Sequence, residues 1–126
     1  MKLHSAITDG LNVITAYADD FVAVNGVRHS GSVVVRPQGA VVPWPLTDVS
    51  ALNEATLAAL GMTPGTVVLL GTGLRQQFPP PNVRRLLAAT GCAVDIMDSG
   101  AAARTFNILV AEGRDVVAGL IVGAQS

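Results

Sequence analysis

Hydrophobic positions change their spacing about halfway along the chain. From Leu11 to Pro37 the run "LNVITAYADDFVAVNGVRHSGSVVVRP" carries short β-branched stretches separated by turn residues, which is the period-2 pattern of strands. Asn25-Gly26 lies between Phe21–Val24 and Val27–His29. Both residues accept positive φ, so the pair predicts a tight hairpin with a type I′ turn. Gly31 predicts a bulge or bend. Val33-Val34-Val35 resumes the strand and Pro37 ends it. A short strand is expected at Ala40–Val42, followed by rigid Pro43-Trp44-Pro45.

Beyond residue 50 the chain alternates. "NEATLAAL" predicts a helix with Asn53 as N-cap, closed by Gly61, and Pro64-Gly65 predicts a turn. Thr66–Leu70 is apolar throughout, as a strand covered on both faces requires. "PPPNVRRLLAATG" predicts a second helix stopped by Gly91, and Cys92–Met97 the next strand. "DSGAAARTFNILVAEG" predicts the longest helix, with Asp98 or Ser99 as cap and Gly113 as stop. Asp115–Val122 is the last strand. The fold class this predicts is α/β: one three-layer domain, residues 1–126, with a central mixed β-sheet, helices on one face and an N-terminal β-hairpin layer.

Composition narrows the function. Formal net charge is −1, which offers no field to draw nucleic acid or an anionic membrane. Aromatic residues are 4%, too few for a base-stacking platform. Charged residues are 13%, against a usual value of about 25%. With 50% hydrophobic residues, so few charges predict exposed apolar surface, and hence self-association or a protein partner. The longest apolar run, "VVAGLIVGA", is far short of the roughly 18 residues a membrane span needs. "MKLHSAITDG" lacks the layout of a signal or transit segment, so a cytoplasmic location is expected. Cys92 is the single cysteine, which suits a reducing compartment. One lysine, Lys2, against seven arginines is the skew of a GC-rich bacterial genome.

Candidate chemistry is sparse. "VVLLGTG" runs a strand into glycines, as dinucleotide-binding proteins do. However, Gly71-Thr72-Gly73-Leu74-Arg75-Gln76 lacks the third glycine, and the helix begins late behind Pro79-Pro80-Pro81, which have no N–H to offer a phosphate. No G-K pair forms a phosphate loop. Lys2 is no Schiff-base candidate. His4 and His29 have no metal-ligand spacing, and His29-Ser30 point to opposite faces of a strand. Cys92 reads as a packed thiol and Arg84-Arg85 as a solvated helix face. No cofactor or metal is expected and no catalytic residue is assigned.

In the long helix, Ala102, Phe106, Leu109 and Val110 form one stripe, and Ala101, Ala102 and Ala103 allow close approach to the sheet. Arg104 and Asn107 share a flank, and Ile108 lies away from the stripe as a candidate interface residue. If Thr66–Leu70 and Cys92–Met97 are parallel, the loops Gly71–Phe78 and Asp98–Gly100 meet at one edge, where α/β sheets place ligands. The candidate ligand set is Gly71, Thr72, Gly73, Arg75, Asp98, Gly100, Arg104 and Asn107. A small anion or metabolite, held as a ligand or as the substrate of an unrecognised enzyme, would take N–H groups of Gly73 or Gly100 and charge from Arg75 or Arg104. The other reading is structural: Asp98 caps its helix and Asn107 bonds a loop.

"VVLLGTG" followed by "MDSGAAARTFNILVAEGRDVVAGLI", with Gly31–Val35 and Trp44, resembles the small-domain family that includes mitochondrial complex I assembly factor 3 and the adipogenesis-associated protein. The most specific part is Met97, Asp98, the alanines, Arg104, Thr105, an aromatic, Asn107, Glu112, Gly113 and Arg114. Phe106 stands where the family usually has Tyr and Ser99 where it has Thr, so no phenol is available at 106 for catalysis. The resemblance implies a mixed-sheet α/β fold and a non-enzymatic accessory role. The partners it implies are respiratory-complex subunits.

Overall fold

The computed structural model describes residues 10–123. Lys2 and His4 lie outside them. Strands β1 (Ile14–Tyr17), β2 (Phe21–Val24) and β3 (Val27–Ser30) form a three-stranded antiparallel sheet. Asn25 and Gly26 have φ of 52° and 83°, as the predicted β2–β3 turn demands. A second sheet has five strands: β4 (Val33–Val35), β5 (Val42–Pro43), β6 (Val67–Gly71), β7 (Ala93–Met97) and β8 (Val116–Leu120), in the order β5-β4-β8-β6-β7. β6 runs parallel to both β7 and β8, whereas β4 is antiparallel to β8 and to β5. The sheet is therefore mixed, as the sequence predicts.

Three α-helices join these strands: α1 (Glu54–Ala58), α2 (Pro81–Ala88) and α3 (Ser99–Ala111). At α1, Asn53 Oδ1 accepts from Thr56 N at 2.9 Å and Thr56 Oγ1 accepts from Asn53 N at 2.9 Å, a reciprocal capping box. Asp98, not Ser99, caps α3, its Oδ1 accepting from Ala101 N at 2.8 Å. Between β5 and α1, Asp48 caps a short 3-10 turn (Val49–Ala51). The hydrogen bond from the Ser50 hydroxyl, then that from the Ser50 N–H, holds its carboxyl below the usual range.

The expectation of helices on one face is corrected. Successive strand residues point to opposite faces, and the two faces bury different elements. Val33, Val35, Leu69, Val116, Ala118 and Leu120 pack against α3, through Ala102, Ala103, Phe106 and Val110, and against Ile14, Val22 and Val24 of the small sheet. Val34, Val68, Leu70, Val117 and Ile121 pack against α1 and α2, through Leu57, Val83 and Leu87, and against Trp44 and Leu60. An apolar sheet with no polar face needs cover on both sides, and one helix plus a hairpin sheet covers only one. The small sheet and α3 share a face. The expected short strand at Ala40–Val42 also falls slightly later, at Val42–Pro43, where it pairs with Val33 and Val34.

Close packing peaks at Gly119 on β8. A Cβ there would lie 2.7 Å from Trp44 Cζ3 and 2.8 Å from Leu60 Cδ2. Trp44 cannot retreat easily, because its Nε1 donates to Thr56 O at 2.9 Å. Gly119→Ala is expected to destabilise the fold by about 1–3 kcal/mol through overpacking. Urea unfolding of the variant against the wild type measures it.

Candidate functional site at the C-terminal edge of the parallel strands

β6 and β7 are parallel and in register, Gly71 opposite Met97, so their carboxyl ends open onto one edge. There the loop after β6 and the start of α3 meet. Ser99 N donates to Gly73 O at 2.9 Å, and Gly73 N donates to Ser99 Oγ at 2.9 Å. The Ser99 hydroxyl in turn donates to Ile121 O at 2.7 Å. Thr72 is fully buried; its hydroxyl donates to Arg75 O at 2.7 Å and accepts from Gln77 N at 2.9 Å.

The glycines follow from this closeness. A Cβ on Gly71 would stand 2.9 Å from both Cα and Oγ of Ser99 and 3.0 Å from Leu120 Cδ2. Gly73 has φ of 104°, a backbone that L side chains rarely adopt. The pair lets the helix end touch the strand end. The Gly73 N–H that a phosphate would use is taken by Ser99. At the α3 terminus Ser99 N, Ala101 N and Ala102 N are likewise occupied, the last two by Asp98. α2 starts on Pro80 and Pro81 with no side-chain cap.

A cleft of about 260 Å³ opens at this edge, lined by Tyr17, Asp19, Gly73, Leu74, Asp98 and Gly100 among others. Its described wall has two carboxylates and no basic side chain. Arg104 and Asn107 line a separate groove of about 290 Å³ with Ile14 and Ala103. Tyr17 borders both. Its ring lies so near Gly100 that a Cβ there would be 2.7 Å from Cε1, and its hydroxyl accepts from Arg104 Nη1. The structure thus gathers Gly71, Thr72, Gly73, Asp98 and Gly100 at one edge and places Arg104 and Asn107 beyond the Tyr17 ring. Arg75 is exposed on the loop. Ile108 is 57% exposed on the outer face of α3. Among the described residues no three His, Cys, Asp or Glu side chains are grouped to hold a metal ion.

Asn107 acts as a surrogate strand edge. Its Oδ1 accepts from Ile14 N at 2.8 Å and its Nδ2 donates to Ile14 O at 2.8 Å. The residues that sequence reading missed are Tyr17 and Ser99 as tertiary links. Ser99 appears in the sequence only as a helix-cap candidate, and nothing local ties Tyr17 to a helix more than eighty residues away.

Asn107→Leu leaves both Ile14 groups without their partner. It is expected to cost about 1–3 kcal/mol and to speed amide exchange selectively along β1, measured by hydrogen exchange.

Residues 14–121 match the family described as a protein of unknown function (DUF498/DUF598). In Bos taurus, NADH dehydrogenase (ubiquinone) 1 alpha subcomplex assembly factor 3 is 34% identical over 110 residues, covering 86% of this chain and 59% of that protein. The chain spans about three fifths of the length of the first curated relatives it matches. A crystal structure of a Bordetella parapertussis protein superposes with a TM-score of 0.82 at 43% identity, over 90% of this chain and 98% of that one. The solution structure of a Bordetella pertussis Mth938-like domain gives 0.77 at 36% identity, over 94% and 90%. These relatives bear out the resemblance to that family. On its sequence match and its fold alike, the chain belongs to the DUF498/DUF598 family.

Proposed function

We propose that this protein is a non-enzymatic accessory factor, cytoplasmic, that holds a subunit of a respiratory complex of the NADH dehydrogenase type during assembly. The observation that carries the reading is the match of 86% of the chain to relatives named as assembly factors of that enzyme. The site supports it. The hydroxyls, amide and carboxylate that a catalytic reading would use are committed to holding α3 against β6, β8 and β1: Ser99 and Thr72 to loop carbonyls and amides, Asn107 to Ile14, Asp98 to its helix. The surface supports it too. Ile108 on α3 and Phe78 before α2 are large apolar side chains, 57% and 65% exposed, in a chain poor in charge. Among the described residues no helix is long and apolar enough to cross a membrane, so a membrane-bound partner would be met at its exposed parts.

The test is a crosslinked pull-down of the tagged protein from its own cells at natural expression level, read by mass spectrometry. Respiratory-complex subunits are expected with the wild type and lost with Ile108→Arg, while the melting temperature of the variant stays within a few degrees, as an exposed substitution allows. A wild-type pull-down without such subunits overturns the reading and turns attention to metabolites in the Tyr17–Asp98 cleft.

A further inference from the structure

The two edges of the five-stranded sheet are finished differently. The β5 edge is two residues long and ends in Pro43, a short proline-blunted strand that offers little to another chain. The β7 edge is five residues long, with neither lysine nor proline on it. Thr72 N donates to Met97 O at 2.8 Å, so the carbonyl of Met97 faces β6. Alternation then turns the N–H and C=O groups of Cys92, Val94 and Ile96 outward. Cys92 N is satisfied by Thr90 Oγ1 at 3.1 Å, and Ile96 O accepts from Gln76 Nε2 at 2.8 Å. Among the described residues nothing bonds the outward groups of Val94 or the N–H of Ile96.

Beside this edge lies an apolar groove of about 280 Å³ between β7 and α2, lined by Arg84, Leu87, Ala88, Cys92, Val94 and Ile96. Open main-chain donors and acceptors next to apolar side chains fit an added strand. The strand's own sequence suits an antiparallel copy of itself. Paired about Val94, Val94 exchanges both main-chain bonds with its copy and the N–H of Ile96 meets the carbonyl of Cys92 across the pair, while Cys92 N and Ile96 O keep the partners they already have. Asp95, whose side chain faces the α3 side, lies across from Ala93. Shifting the centre to Asp95 would set two carboxylates directly opposite, which is unfavourable. The one charge on the strand thus disfavours that neighbouring register.

We propose that β7 is the dimer interface of this protein: two copies pair antiparallel about Val94 into a continuous ten-stranded sheet, with Cys92, Val94 and Ile96 of each covering the groove of the other. The occupant is a second copy of this chain, joined by a two-fold axis that gives both copies the same contact.

Sedimentation velocity across a concentration series tests the dimer, and cross-linking tests its register. In a Cys92→Ser background, Val94→Cys is expected to give a disulfide-linked dimer on mild oxidation. A hydrogen-bonded antiparallel pair has Cα atoms about 5.5 Å apart, within disulfide reach. Ala93→Cys in the same background faces the other side and meets Asp95, so it is expected to stay uncrosslinked. Val94→Pro removes the outward N–H without touching the β6 ladder, and is expected to weaken association by at least about tenfold, about 1.4 kcal/mol. If Val94→Pro does not fold, the cysteine pair alone decides. A wild type that is monomeric throughout the series overturns the proposal. So does a dimer in which Val94→Cys fails to crosslink or Ala93→Cys crosslinks equally well.

Discussion

The Ser99 hydroxyl sits where three elements converge. It accepts from Gly73 N, donates to Ile121 O, and stands against the bare Cα of Gly71. One buried group thereby ties the ends of β6 and β8 to the first turn of α3. Because its lone pair and its proton are both used, it can be buried without the penalty of an unsatisfied polar atom. The position of α3 over the sheet follows from this tie. With its N-terminus pinned at the strand ends, the Ala102, Phe106 and Val110 stripe comes down on Leu69, Ala118 and Leu120.

Once α3 is placed, it organises the small sheet. Ala103 and Phe106 pack against Ile14, Val22 and Val24, and Asn107 completes the hydrogen bonding of Ile14 as a neighbouring strand would. Asn12 adds a second seam, its Nδ2 donating to Arg36 O at 2.8 Å and Gly39 O at 2.9 Å. The β1 edge is therefore closed by a helix side chain and a loop rather than by another strand, one of the ways proteins protect an open edge. The same arrangement explains why the candidate ligand set divides. Tyr17, at the end of β1, lies over Gly100 and accepts from Arg104, so the basic group is held on one side of the ring and the carboxylates of Asp19 and Asp98 on the other.

Much of this was legible in the residues because it is local. The Asn25-Gly26 turn, the Asn53 cap, the glycine stop after α3 and the apolar β6 each depend on a few neighbours whose conformational preferences are strong. The meeting of the Gly71–Phe78 and Asp98–Gly100 loops was also legible, since two parallel strands bring equivalent ends to one edge. The face each helix covers was not. The β6 pattern demands cover on both sides without saying which helix supplies it, and α2 and α3 both carry an apolar stripe. Nor was the role of Tyr17, because a tyrosine on a half-exposed strand has no local mark of its partner.

The sequence by itself determined the element types, the mixed character of the sheet, the Asn53 cap, and the family to which the chain belongs. These follow from short-range sterics and from motifs along the chain, the most specific of them, Met97 to Arg114, contained within one helix and its flanks. Only the tertiary structure decided that Gly71 and Gly73 admit Ser99 in place of a phosphate, that Asn107 serves as a strand edge, and that Arg104 is separated from Asp98. Each depends on atoms remote along the chain being brought within about 3 Å, the reach of a hydrogen bond or a close packing contact. Residue order does not encode that distance until the sheet and the helices have packed.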